Sequence, residues 1–381
     1  MQESLRQALE IFIARQAGAE RVEIGESRLL TGGAVQENWL VKGRIEGGAH
    51  AGSLDAVIRT DSPSCGVAVS HNRAEEFALL KAAFAAGVTV PEPLWLCVDK
   101  AVIGRPFFVM RRVDGIAAGH LLVRDERHGG DRPRLLERLG AELARIHSIR
   151  PPRADLDFLE CYEEVPAIHA VNRFRRYLDT HAIPHPALEW GLRWLERHAP
   201  PRGQVALCHR DFRTGNYMVD DKGVTGILDW EFAGWGDPLE DIGWFCAKCW
   251  RFGASGKERE AGGIGKREDF YRGYESVSGQ PLDRGLVRYW EVMAHAAWAI
   301  IAIQQAERHV SGEEKSLMLA LTGHIVPELE YEILTMTTAQ AQAPAFMPGS
   351  SEPSLFSMPK APQTRGEEAS ALMPRRLTEG S

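Results

Sequence analysis

Apolar residues recur along this chain at two spacings, and the change from one to the other divides it. Over 22–110 the pattern is mainly that of strands: RVEIGESRLL, AVQENWLV after a TGG turn, LDAVIRT, and later the short apolar run PFFVM. One helical stretch interrupts them, NRAEEFALLKAAFAAG, with Phe77, Leu80 and Phe84 spaced for one face and Gly87 placed as a stop. The first twenty residues set Leu5, Leu9, Phe12 and Ile13 at helical spacing among charges, which predicts an amphipathic helix rather than an export signal. From about residue 115 the helical period dominates. Pro133 opens a helix striped by Leu135, Leu136, Leu139, Leu143 and Ile146, and further helices are predicted near 167–178, 187–198, 269–276 and 286–308. One hairpin breaks this region, YMVD and VTGILDW, with its turn at 220–223. The longest strongly apolar stretch, 292–303, contains His295 and falls well short of the roughly 20 residues a membrane-spanning helix needs. It predicts a buried helix and no membrane partner.

The periodicity therefore predicts an α+β chain with three parts. Residues 1–113 form a small β-rich lobe with an N-terminal helix, and 114–336 form a larger helical lobe. Residues 337–381 are a Pro- and Ser-rich tail. In that tail six prolines from Pro344 to Pro374 stand among Ser, Gly and Ala, too little apolar surface to offset the entropy of ordering, so disorder is expected.

Composition narrows the function classes. With 44% hydrophobic and 25% charged residues the 381-residue chain reads as an ordinary soluble protein. A formal net charge of -7 supplies no overall positive field for a nucleic-acid backbone. Six scattered cysteines in a chain without an export signal point to free thiols and a cytoplasmic location. Cys246 and Cys249 form a C-x-x-C, but no second pair lies at zinc-finger spacing, so they read as small core residues. Oligomeric state has no signature in the sequence.

Candidate chemistry concentrates in LCHRDFRTGNYMVDDKGVTGILDW, residues 207–230. Phosphoryl transfer from ATP needs a carboxylate to accept the attacking hydroxyl's proton and oxygen ligands to hold magnesium against the phosphates. Here Asp211 lies five residues before Asn216, and Asp229 follows across the hairpin, so H-R-D-x-x-x-x-N and a later carboxylate supply each part. His209 suits a hydrogen-bonding role within the loop rather than acid or base work. Asp220 and Asp221 belong to the turn.

This segment resembles the catalytic loop and metal motif of the aminoglycoside phosphotransferase family, whose fold is similar to that of the protein kinases. The resemblance implies a bilobal, protein-kinase-like fold with ATP as phosphate donor and magnesium (Mg2+) as cofactor. It makes Asp211 the catalytic base, and Asn216 and Asp229 the metal ligands. The family usually has H-G-D where this chain has His209-Arg210-Asp211; arginine there is the protein-kinase spelling, and Arg210 is expected to pair with a nearby carboxylate or carbonyl. The usual phosphate-gripping lysine is replaced by Arg59 in DAVIRTD, as in relatives resembling the N-terminal region of some acyl-CoA dehydrogenases. Arginine keeps the charge and can contact phosphate through two nitrogens.

The remaining nucleotide-site residues follow from the same resemblance and from their order along the chain. Thr31, Gly32 and Gly33 form a turn whose amides can approach phosphate oxygens. Glu76, favoured over Glu75, is the acid that fixes Arg59. FFVMRRVDG is the expected interlobe hinge, with the backbone of Arg111 and Val113 on the adenine edge and Val57 and Met110 flanking the ring. Downstream, Asp237 and Asp241 in FAGWGDPLEDIGWF are expected to hold the loop and cap a helix starting near Pro238.

The acceptor is expected to be a hydroxyl of a small molecule. Only seven residues separate Asp229 from Asp237, which leaves no room for the activation segment of a protein kinase. Residues 150–202 carry eight basic and eight acidic residues and several aromatics, a balance that suits a partly apolar or anionic acceptor such as a hydroxyacyl-CoA better than a polycationic aminoglycoside. A second reading, a nucleotide-binding pseudokinase acting as an interaction module, is motivated by Arg59 and the tail.

Overall fold

A computed structural model of the chain describes residues 2–30, 36–61, 70–201 and 203–338. Helix α1 (Glu3–Ala17) is followed by strands β1 (Arg21–Leu30), β2 (Gln36–Glu46) and β3 (Gly52–Asp61), helix α2 (Arg73–Ala85), β4 (Pro93–Cys97), the short α3 (Lys100–Ile103) and β5 (Phe107–Arg111). The strands form one antiparallel sheet in the order β1-β2-β3-β5-β4. Alternation along β1 buries Val22 and Ile24 under α1, where Leu9, Phe12 and Ile13 complete an apolar cluster with Val41, Ile58 and Phe107. Central β3 is buried on both faces: Ala56 and Ile58 face α1, which leaves Val57 and Arg59 for the opposite side. Helix α2 starts from a capping box, with Asn72 as cap and Glu75 closing it. Its buried stripe runs through Leu79, Leu80 and Ala83, and Phe84, expected on that face, projects past it at the last turn and is 47% exposed.

The helical region holds α4 (Gly119–Arg124), α5 (Arg132–Ile146), α6 (Pro166–Thr180) and α7 (Pro186–Arg197). Two small pairings follow, β6 (Ala206–Cys208) with β9 (Gly234–Gly236) and, between them, the hairpin β7 (Tyr217–Val219) with β8 (Val224–Ile227). The hairpin turn closes as expected, Asp220 Oδ1 accepting from the backbone N–H groups of Lys222 and Gly223. The chain continues through α8 (Pro238–Cys246), α9 (Arg267–Ser278), α10 (Arg284–Val310), α11 (Leu317–Gly323) and α12 (Val326–Thr338). The stripe predicted for α5 is fully buried, and α5 lies directly against α9. Helix α10 is longer than its apolar run suggested, 27 residues, and by length and composition it could cross a membrane. Its apolar window is 72% buried inside the protein, in a cluster shared with α6, α7 and α12, as a core helix would be. Thr31, Gly32 and Gly33 lie outside the described residues, as does the tail beyond 338. Cys246 and Cys249 are both free thiols.

Candidate active site

Arg59 is where the sheet meets the candidate segment 207–230. From β3 its Nε lies 2.8 Å from Glu76 Oε1, and its Nη2 donates to Asp229 Oδ1 at 2.8 Å. The choice between the two neighbouring acids is thereby decided: Glu76 faces Arg59, while Glu75 caps its own helix. Burial works against the guanidinium's charge, but Glu76, Asp229 and Glu231 outweigh it and raise its pKa. A second arginine, Arg73, shares the Glu76 carboxylate and also reaches Asp61 at 3.0 Å and the His71 carbonyl at 3.0 Å. Nothing in the motif pointed to Arg73, although its place three residues before Glu76 on a helix puts the two side chains on one face.

The chain leaves β6 through a strained turn. Arg210 has φ 64, a left-handed conformation that a bulky residue adopts only where its surroundings impose it. Asp241 imposes it here: the successive N–H groups of His209 and Arg210 converge on its two oxygens at 2.6 and 2.7 Å. Buried His147 donates its Nε2–H to the same carboxylate at 3.1 Å, and although burial opposes ionisation, His147 and His209 hold the Asp241 pKa below its usual value. Arg210 itself donates to the Trp235 carbonyl at 2.8 Å and lies 3.9 Å from Glu240, the kind of partnership its sequence context suggested. His209 serves the loop, its Nε2 on the Leu228 carbonyl at 2.8 Å and its Nδ1 on the Asp211 N–H at 3.3 Å. Asp237 caps α8 through Leu239 N–H at 2.9 Å, and burial pushes its pKa up to about 6.

Asp211 and Asn216 are directly bonded. The Asn216 amide nitrogen donates to Asp211 Oδ2 and, at 3.0 Å, to the Asp211 carbonyl. Asp211 Oδ1 accepts from Arg213 Nε at 3.0 Å and from the Trp244 indole at 3.1 Å. Burial raises the Asp211 pKa, the neighbouring Asp229 adds to the rise, and Arg213, His209 and Trp244 act against it. Asp229 follows β8 with φ 67, a conformation aspartate tolerates better than most residues, and turns its carboxylate back toward Arg59. Two residues on, Glu231 accepts from Gln36 Nε2 at 3.3 Å; burial first and Asp229 second push its pKa up to about 7.

These groups line one cavity of about 1080 Å³. Val57, Met110, Arg111 and Val113 border one end, with Val57 and Met110 paired in register across β3 and β5. Asp211, Asn216 and Asp229 stand in its wall, and a further branch runs between α6 and α10 past Phe174, Trp250 and Trp298. The Arg111 N–H is already spent on the Glu92 carbonyl at 2.8 Å, so only its carbonyl can serve a base edge. Arg213, Trp244 and Glu231 went unmarked in the sequence reading. Arg213 and Glu231 carry one weak signal, each standing two residues after a motif aspartate; Trp244 carries none.

The donor set fits a small hard cation. Asn216 commits its amide nitrogen to Asp211, which turns the carbonyl oxygen to other use, and Asp229 keeps its side chain 32% exposed beside it. A second cluster, His147, Cys208 and Asp241, brings its ligand atoms within 4.8 Å of one another but is committed internally. His147 is bonded to Tyr274 as well as Asp241, and burial pushes the Cys208 thiol well above its ordinary range.

The model of the phosphotransferase enzyme family matches residues 27–279. Acyl-CoA dehydrogenase family member 10 of Mus musculus is 28% identical over 288 residues, covering 70% of this chain and 26% of that protein. The chain thus spans about a quarter of the length of the curated relatives it matches. A solved protein from Ralstonia eutropha JMP134, provisionally described as an aminoglycoside phosphotransferase, superposes with TM-score 0.68 at 20% identity, over 87% of this chain and 98% of that one. Spectinomycin phosphotransferase, solved with ADP and spectinomycin, superposes with TM-score 0.56 at 13% identity, over 86% and 98%. The solved neighbours share the kinase-like fold, and with two thirds of its length matched by the family model the chain belongs to the phosphotransferase enzyme family.

Proposed function

We propose that the protein transfers the γ-phosphate of ATP to a hydroxyl of a small molecule. The observation that carries this reading is the meeting of Arg59 with Asp229, 170 residues later in the chain, beside Asp211 and Asn216 in one cavity. Arg59 would turn from Asp229 to the phosphates, with Glu76 holding it in place. The Arg111 carbonyl and the Val113 N–H would receive the adenine edge, between Val57 and Met110. Magnesium, held by Asn216 and Asp229, would supply charge neutralisation along the phosphates. Asp211 orients the acceptor and takes its proton as the alcohol oxygen bonds to the γ-phosphorus and the bond to the departing ADP oxygen breaks. Burial makes this carboxylate a better base than a free one, and positioning contributes the larger share.

The acceptor branch favours an amphiphile over a polycation. The α6 and α10 residues that line it include Phe174, Tyr177, Trp298 and Ile301 beside Arg173 and Gln304, and none is an Asp or Glu. A hydroxyacyl-CoA or a similar hydroxylated metabolite matches that chemistry, and the likeness to an acyl-CoA dehydrogenase family member supports it. An aminoglycoside, which needs carboxylates, fits less well.

The test is a phosphotransfer screen with labelled ATP and magnesium over hydroxyacyl-CoAs, sugars, choline-like alcohols and aminoglycosides. Asp211→Ala should lower turnover by about 10²–10⁴ with ATP binding retained. Full activity in that variant would sink the proposal, and nucleotide binding without phosphate transfer to any acceptor would favour the pseudokinase reading.

A further inference from the structure

The carboxylate of Asp211 has a partner that no motif marks. Trp244, on α8 and 7% exposed, donates its indole N–H to Oδ1, the same oxygen that Arg213 reaches. A carboxylate oxygen accepts in about two directions, so these donors fill Oδ1. On Oδ2 the Asn216 amide takes one direction, and among the described residues no donor takes the other. Both Oδ1 donors are held by aromatic packing. The Arg213 guanidinium lies over Trp250 at 4.8 Å, and the Trp250 ring stands 5.0 Å from Trp244 and 4.6 Å from Trp298.

We infer that Trp244 is a positioning residue: with Arg213 it saturates Oδ1 and so directs the acceptor's proton to the open side of Oδ2, next to Asn216. The inference rests on the phosphotransferase reading of Asp211. In the step it serves, the O–H proton moves to Oδ2, the freed electron pair forms the oxygen–phosphorus bond, and the pair of the broken phosphorus–oxygen bond leaves with ADP. Without the indole donor the carboxylate can rotate about its Cβ–Cγ bond and present either oxygen. Trp244→Phe keeps a ring in the aromatic stack and deletes the donor together with the pyrrole part of the indole.

Two measurements test this. The first is ¹⁵N–¹H spectroscopy of the indole groups in the ligand-free protein, whose ten tryptophans give a countable set. The Trp244 signal, identified by its loss in Trp244→Phe, should move when Asp211→Asn replaces the charged acceptor with a neutral one. An unmoved signal overturns the contact whether or not the protein transfers phosphate. The second is phosphate release from Mg-ATP with water as acceptor, on Trp244→Phe protein confirmed by its melting curve to be folded. Loss of a hydrogen bond to a charged group should lower kcat roughly tenfold to a hundredfold, with KM for ATP within about twofold. An unchanged kcat, or a raised KM with kcat intact, overturns the positioning role. Asp211→Ala protein that releases phosphate at the wild-type rate would instead sink the phosphotransferase reading, so the two failures are distinguishable.

Discussion

Arg59 shows what a single residue can do by changing its head group. A lysine there would offer one ammonium, whereas the guanidinium pairs with Glu76 through Nε and donates to Asp229 through Nη2 at once. Arg59→Met should weaken ATP binding at least about tenfold, read by titration calorimetry, because it removes the charged phosphate contact proposed for this residue. It should also lower stability by roughly 2 kcal/mol in chemical denaturation. That is less than the ~3–5 kcal/mol for breaking a buried ion pair, because Arg73 still reaches Glu76. Asp237 gives a pH signature. Its pKa is raised to about 6 in the folded protein, so the folded state binds this proton more tightly than the unfolded one. The stabilisation is fully present below the unfolded value near 4 and is lost as pH rises through about 6. Asp237→Asn retains a good cap without the charge. Its melting temperature relative to wild type should therefore rise between pH 4.5 and pH 7.5, corresponding to about 2 kcal/mol.

At the scale of elements, the contact between α5 and α9 depends on two glycines that no periodicity singles out. A Cβ at Gly140 would lie 2.1 Å from the Phe270 carbonyl oxygen, and one at Gly273 would lie 1.9 Å from that of Glu137. Both obstacles are backbone, so a methyl group must push the helices apart. Gly140→Ala and Gly273→Ala should each destabilise by about 1–3 kcal/mol or more by urea unfolding. The double variant should lose less than the sum, since helices already separated leave room for the second methyl. Gly25→Ala, with open space around the added carbon, should stay within about 0.5 kcal/mol. The α5 stripe, the α2 helix with its stop at Gly87 and the β7–β8 hairpin were all readable beforehand, because each is decided by neighbours a few residues apart. The pairing of β6 with β9 was not, since it joins segments 28 positions apart through three residues each.

Over the whole molecule, the cavity couples the sheet to the helical region, and a ligand that bridges them should stabilise both. Mg-ADP at about 100 times its Kd should add roughly 2.7 kcal/mol, measured as a rise in melting temperature. The increment due to magnesium should disappear in Asn216→Ala/Asp229→Ala protein, and its persistence would exclude these two as the metal ligands. What the sequence by itself determined was the family, the strand-rich and helix-rich regions, and the candidates Asp211, Asn216, Asp229 and Arg59. Such features are written in local spacing and in side-chain types that the chemistry requires. Only the tertiary structure decided that Glu76 rather than Glu75 meets Arg59, that Arg73 shares it, and that Trp244 closes on Asp211 from α8. Those are contacts between residues far apart in the chain or on a helix face set by packing, and a hydrogen-bond partner chosen by the fold leaves no mark on the spacing of the residues that make it.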